Sequence, residues 1–207
     1  MPTRSHKERN PKLQKSVIIG IDLAGKATNP TGCALLKNKQ IQTRHLYTTK
    51  EILAHTFKCS PTLVAMDAPL ALPKKNAMRE ADRQMHKLGY PVFPPRFRAM
   101  KTLTLRAVRI TKKLKERRIH VIEVHPASTR KALGVPTKDW RRIQESLQKM
   151  GYKGDIKKRI LTPHEIDAVT AALTAHLYIK EKTKLVGEPK EGYIVIPLKN
   201  DWKRLQP

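Results

Sequence analysis

Four carboxylates of this chain sit in apolar surroundings. Asp22 follows VIIGI, Asp67 follows TLVAM, Glu123 follows HVI, and Asp167 stands between Ile166 and AVTAAL. A carboxylate withdrawn from water is costly unless it is protonated, paired with a cation or bound to a metal. Each acid taken singly reads as a buried turn cap or as the partner of one of the many arginines. As a set they point elsewhere, because three end or interrupt apolar strands and the fourth lies on a helix that must cover those strands. Two carboxylates about 4 Å apart repel by roughly 4 kcal/mol at an effective dielectric of 20. A hard divalent cation such as Mg²⁺ or Mn²⁺ turns that repulsion into attraction. The pattern therefore points to a metal centre.

Other side chains with chemistry to offer lie near these acids. His125 and His164 flank them and serve either as ligands or proton carriers, or in the local hydrogen bonds usual at strand ends and helix starts. Arg79 and Asp82, three apart on one helical face, form either a surface ion pair or a cleft contact. Lys26, in the turn after Asp22, either faces a phosphate or is a solvated loop lysine.

The charge balance names a partner. The chain has 43 Lys and Arg against 17 Asp and Glu, a net charge of +26 that a compact fold tolerates best beside a polyanion. From Arg96 to Arg118 there are ten basic residues and one acid, too few anions for the cations to pair among themselves. Arg96, Arg98, Lys101, Arg106 and Arg109 are the candidate contacts to RNA or DNA phosphates. Tyr90, Phe93 and Phe97 would stack unpaired bases or pack in the core, and with aromatics at 5% of the chain, core packing is expected for at least two of them. Cys33 and Cys59 are too few and too far apart for a zinc ribbon, a CxxC redox motif or a disulfide framework. No apolar window is long enough to span a bilayer, and the basic N-terminal stretch lacks the apolar segment of a signal peptide. A cytoplasmic protein with no membrane contact is expected, of unknown oligomeric state.

The elements that would position these groups follow from periodicity. Residues 1–15, with five basic side chains, one acid and two prolines, read as a flexible basic arm, and residues 16–207 as a single domain. SVIIGIDLAG, TGCALLKNK and QIQTRHLYT form an antiparallel meander. A short helix begins near Thr49, and TLVAMDAP is a fourth strand stopped by Pro69. Residues 70–98 form a helical and Pro-rich insertion or lid. Met100, Leu103, Ala107, Ile110 and Leu114 mark the apolar face of a long basic helix. IHVIEVHP is the fifth strand, and two or three turns of helix follow through Lys149. Thr162 and Pro163 start the amphipathic helix HEIDAVTAALTAHLYIK, and GYIVIPLK is the last strand. The fold class is α/β, with a mixed sheet flanked by helices.

The ordered set GIDLAG, AMDAPLALP, Arg79 with Asp82, GYPVFPPRF, IEVHPA and HEIDAVTAAL resembles the family of predicted ribonuclease H-like nucleases long filed as a domain of unknown function. The likeness spans about residues 17–198. It implies a ribonuclease H-like sheet on which acids of the first strand, the fourth strand and the C-terminal helix converge on divalent metal. Asp22, Asp67 and Asp167 match those places, and Glu123 is similar to the acid that the family carries on its next strand. It also implies that Arg79 and Asp82 stand at the substrate cleft. The helix-start residue Glu51 departs from the catalytic Glu of ribonuclease H, since capping explains it. In such a site, two ions about 4 Å apart activate a water and stabilise the leaving 3′ oxygen. Asp22 would bridge the ions, Asp67 would hold one, Asp167 the other or the attacking water, and Lys26 would offset charge on the scissile phosphate.

Three functions compete on these grounds. The first is a divalent-metal nuclease acting on RNA or DNA. The second is a non-catalytic nucleic-acid-binding protein whose acids persist as structural pairs. The third is an actin-like phosphotransferase, ranked last because no second DxG turn follows the first.

Overall fold

The computed structural model describes residues 16–205, and the basic arm expected over residues 1–15 lies outside them. Strands β1 (Val17–Asp22), β2 (Thr31–Lys37) and β3 (Gln40–Leu46) form the antiparallel meander. Its tight turn is Asn38–Lys39, both at positive φ (50° and 62°), the backbone that a two-residue hairpin needs to match strand twist. Helix α1 (Thr49–Cys59) opens on a capping box between Thr48 and Glu51. Strand β4 (Leu63–Asp67) returns parallel to β1, with Asp22 directly opposite Asp67.

The insertion carries α2 (Glu80–Lys87), and the long basic helix α3 spans Arg98–Glu116. Strand β5 (His120–Val124) lies parallel to β4. The helical stretch expected through Lys149 is two helices, α4 (Pro126–Ala132) and α5 (Trp140–Lys149). Gly134, at φ 67°, and the following Val135–Pro136 step break it. A two-residue strand β6 (Lys153–Gly154) and a single turn α6 (Asp155–Lys158) precede α7 (Pro163–Ile179). Thr162 caps α7 reciprocally with Glu165, and Pro163 fills its first turn. Strands β7 (Thr183–Glu188) and β8 (Gly192–Pro197) form a closing hairpin before a 3-10 turn at Trp202–Leu205.

The sheet order is β6-β3-β2-β1-β4-β5-β8-β7, with β1, β4, β5 and β8 mutually parallel. An antiparallel meander leading into parallel strands, with helices on both faces, is the ribonuclease H-like α/β architecture that the motifs imply. Strand alternation divides the core. Ile18, Ala65, Ile122 and Val195 pack with Ile166, Val169 and Leu173 of α7 on one face. Ile19, Ile21, Val64 and Met66 pack with Ile52 of α1 and Ala107, Ile110 and Leu114 of α3 on the other. The insertion is held separately, with Ala81, Met85 and Tyr90 buried against Val186, Ile194 and Ile196 of the closing hairpin.

Candidate metal and nucleic-acid site

Close backbone approach brings the acids together. Gly20 lies on the same face of β1 as Asp22, and a Cβ built there would stand 2.0 Å from the Ala168 carbonyl oxygen and 2.6 Å from the Ala172 nitrogen. A Cβ at Gly32 would stand 2.0 Å from the His164 carbonyl oxygen. Two glycines on neighbouring strands thus let α7 lie directly on the sheet, with its first turns over the carboxyl ends of β1 and β4. Asp22 and Asp67 end those strands in register and face α7. A cleft of about 220 Å³ opens there, lined among others by Asp22, Asp67, Phe93, Met100, Leu103 and His125.

The electrostatics of the three aspartates are coupled. Burial pushes the Asp22 carboxyl up to about 6, opposed by a hydrogen bond from His164 and reinforced by the charge of Asp167. Burial raises Asp67 well above the usual carboxylate range, and the charges of Asp22 and Asp167 add to that. Two of the three have local partners. His164 Nδ1 donates to Asp22 Oδ2 at 2.7 Å, and the Arg130 guanidinium donates to Asp167 Oδ1. Asp67 accepts no hydrogen bond from any described residue.

Glu123 lines the same cleft, together with Arg79 and Asp82, but its carboxylate is taken up by Arg79. It is level with Met66 of β4, so it emerges on the α3 face of the sheet, opposite to Asp67. Arg79 binds it at both oxygens, at 2.6 and 2.8 Å, and the Leu70 N–H donates to it at 2.8 Å. The other donors of Arg79 go to Asp82, at 2.8 and 3.1 Å. Arg79 and Asp82, expected at the substrate cleft, are 0% and 1% exposed and have their bonding capacity turned on each other and on Glu123. They anchor the insertion to β5, and their rim of the cleft presents no free cation to a substrate. Burial raises Glu123 despite these bonds, and Arg79 is raised by its two carboxylates against its own burial.

The basic helix is also divided. Arg98, Lys101 and Arg109 are exposed on α3, as is Lys26 in the β1–β2 loop. Arg106 is buried, donating to the backbone carbonyls of Ala24 at 2.6 Å and of Tyr47, and to Thr49 Oγ1. It therefore fastens α3 to the loop that follows Asp22, and its expected phosphate contact is withdrawn. Arg96 is exposed but spends Nη2 on the Pro73 carbonyl. Of the three aromatics, Tyr90 is 3% exposed in the core while Phe93 and Phe97 are 72% and 60% exposed, so only one is a packing residue.

His125 bonds Ser128 Oγ at 2.7 Å and is drawn down to about 4 by burial, a local role. Arg130 was not anticipated. It is the one large cation in the otherwise small-residue run PAST before it, and a basic residue buried on the α4 face toward α7 is the available signal. Glu51 is the capping partner of Thr48, as its helix-start position implies.

Residues suited to a divalent ion are Asp22 and Asp67. They are opposed on adjacent strands, and one has no proton donor of its own. Among the described residues no three His, Cys, Asp or Glu side chains are close enough to share an ion. Among the described residues no helix is long and apolar enough to cross a membrane.

Fold and cleft together define a ribonuclease H-like α/β protein with an aspartate cluster at the carboxyl ends of its central strands. A family model described as a protein of unknown function, DUF429, matches residues 20–191, and the chain belongs to that family. No curated protein matches it. Among solved structures the chain is similar to Thermus thermophilus RuvC in complex with a Holliday junction substrate, at 16% identity and a TM-score of 0.43, over 80% of this chain and 96% of that one. A second structure of Thermus thermophilus RuvC gives 16% identity and a TM-score of 0.40 over the same shares.

Proposed function

We propose that the protein is a divalent-metal nuclease that hydrolyses phosphodiester bonds of RNA or DNA, with Mg²⁺ or Mn²⁺ held by Asp22 and Asp67. The observation that carries this reading is the half-buried carboxylate of Asp67, which accepts no hydrogen bond from any described residue and lies directly across from Asp22. Two carboxylates opposed on neighbouring strands, the second with no donor among the described residues, raise each other's cost of ionising, and a bound cation relieves that cost. When bound, the metal supplies Lewis-acid activation of water and of the scissile phosphate.

The chain's own residues do the rest. His164 orients the Asp22 carboxylate through Nδ1. Arg130 holds Asp167, whose negative charge adds to that of the pair. The exposed cations Arg98, Lys101 and Arg109 carry the phosphate backbone, with Lys26 on the neighbouring loop. Phe93 and Phe97 offer faces on which unpaired bases stack.

A second reading, a nucleic-acid-binding protein without catalysis, is favoured by the ion pairs Arg79–Glu123 and Arg130–Asp167, which match two of the four expected acids to arginines. A cleavage assay separates the two. Single-stranded, duplex and branched DNA and RNA are incubated with Mg²⁺, Mn²⁺ or chelator, beside the Asp22→Asn and Asp67→Asn variants. Metal-dependent cleavage abolished by both variants is expected. Salt-sensitive binding with no cleavage of any substrate by the wild type would establish the second reading.

A further inference from the structure

At the opposite end of α7 lies a second cluster of charge. Lys180 is 13 residues beyond Asp167 along this helix, about 20 Å at about 1.5 Å per residue. There a cavity of about 170 Å³ is lined by Lys39, Lys180, Lys182 and Arg204, with Tyr152 and His176 among its other walls. We propose that this cavity is a phosphate-binding site, separate from the acid cleft.

The four cations come from different parts of the chain. Lys39 is on the β2–β3 turn, Lys180 ends α7, Lys182 precedes β7, and Arg204 is in the C-terminal 3-10 turn. None of the four makes an ion pair among the described residues, although other surface cations do, as in Arg83–Glu80 and Lys113–Glu116. No carboxylate lines the cavity. One lysine at a helix C-terminus is accounted for by the helix dipole. Four cations converging from four segments on one concavity are not, because each raises the cost of the next.

That mutual cost is visible in the ionisation of the cluster. Lys180 is lowered by burial and then by the charges of Lys182 and Lys39. His176 is drawn down to about 4 by burial and by Lys180 and Lys39, so at neutral pH it is an uncharged ring with one N–H to give. An oxyanion relieves the repulsion and accepts from all of these donors. The floor is apolar, formed by Leu173, Leu177 and Met150, and it excludes water from one side of the site. The ligand chemistry is thus a phosphate group, either free or carried on a nucleic-acid backbone.

The test uses isothermal titration of the full chain with inorganic phosphate and, separately, with a ten-nucleotide single-stranded oligodeoxythymidylate. One triple variant, Lys39→Asn, Lys180→Gln and Lys182→Gln, removes three of the four cations while Asn keeps a residue suited to the left-handed turn at position 39. A control triple, Lys50→Gln, Lys58→Gln and Lys75→Gln, removes the same charge from exposed positions elsewhere. Thermal melts of both confirm the fold. Phosphate binding weakened tenfold or more by the cavity triple and less than threefold by the control is expected. If oligonucleotide binding falls in parallel and competes with phosphate, the phosphate is that of a nucleic-acid backbone; if it does not, the ligand is a free phosphate. Equal weakening of phosphate binding by the two triples, or no saturable phosphate binding by the wild type, overturns the site.

Discussion

Gly20→Ala is a methyl group added about two residues from the proposed metal, and the structure assigns it a large effect. The new Cβ would lie 2.0 Å from the Ala168 carbonyl oxygen and 2.6 Å from the Ala172 nitrogen, both backbone atoms of α7. No side chain can swing away, so the helix must lift from β1 by more than about 1 Å to restore ordinary contact. Overpacking of this kind costs about 3 kcal/mol, which lowers Tm by roughly 6–12 °C for a chain of this size. The lift also carries Asp167 and His164 away from Asp22. A displacement of about 1 Å at a positioned group can cost on the order of a hundredfold in rate. Gly25→Ala is the control, since its Cβ would meet Leu103 at an unstrained 3.6 Å in the loop beyond Asp22. The assays are a melt and a Mn²⁺ titration of each variant. Gly20→Ala should lose both stability and Mn²⁺ affinity while Gly25→Ala loses neither; wild-type melting and Mn²⁺ binding in Gly20→Ala would refute the account of how α7 is seated.

Three further outcomes follow from the side chains. Arg79→Met leaves Glu123 and Asp82 buried without their cation and should lower unfolding stability by about 3–5 kcal/mol, read as a shift in the urea midpoint at unchanged slope. Arg106→Gln and Arg109→Gln should separate cleanly: the first lowers Tm by releasing Ala24 and Tyr47, whereas the second leaves Tm unchanged and lowers the salt slope of nucleic-acid binding by about 0.7–0.9. Mn²⁺ affinity should fall as pH drops below about 6, because Asp22, raised from 3.8 to about 6, then takes up a proton in competition with the ion. Stability of the metal-free protein should run the other way, since a raised carboxyl contributes stability that is full below its unfolded value and lost as pH rises through about 6. Titrations and melts from pH 5 to 8 at constant ionic strength check both signs, and a flat profile in either would count against the coupled aspartates.

What the sequence disclosed was mostly what periodicity and capping control. The meander, the apolar stripe of α3 and the start of α7 at Thr162–Pro163 were legible because local physics determines them. The closing hairpin was half-legible: GYIVIPLK alternates openly, but its partner TKLVGE carries Lys184 and Glu188 and reads as surface. Which face a strand residue takes was the main loss. Glu123 follows an apolar run just as Asp67 does, yet a one-residue difference in register against β4 sends it to the other side of the sheet. Arg106 was illegible for a related reason. Its neighbours on α3 are solvated cations, and only the carbonyls of a distant loop, 82 and 59 residues away in the chain, explain why it is buried.

The acids differ in how fully each is matched. Arg79 spends Nε and both terminal nitrogens on Glu123 and Asp82, and Glu123 gains a backbone N–H as well, so that group is closed to further ligands. Arg130 is different: it reaches Asp167 through Nη1 alone, its buried Nε has no partner among the described residues, and its remaining contact is the Trp140 ring at 5.4 Å. A one-point pair of this kind can be given up for a metal ion at small loss, whereas the Arg79 group cannot. Asp67, with no donor among the described residues, is the limiting case. The gradient from Glu123 through Asp167 to Asp67 runs from a saturated carboxylate to an open one, and both of its ends line the cleft at the carboxyl ends of β1 and β4, where only Asp67 is left open to a ligand.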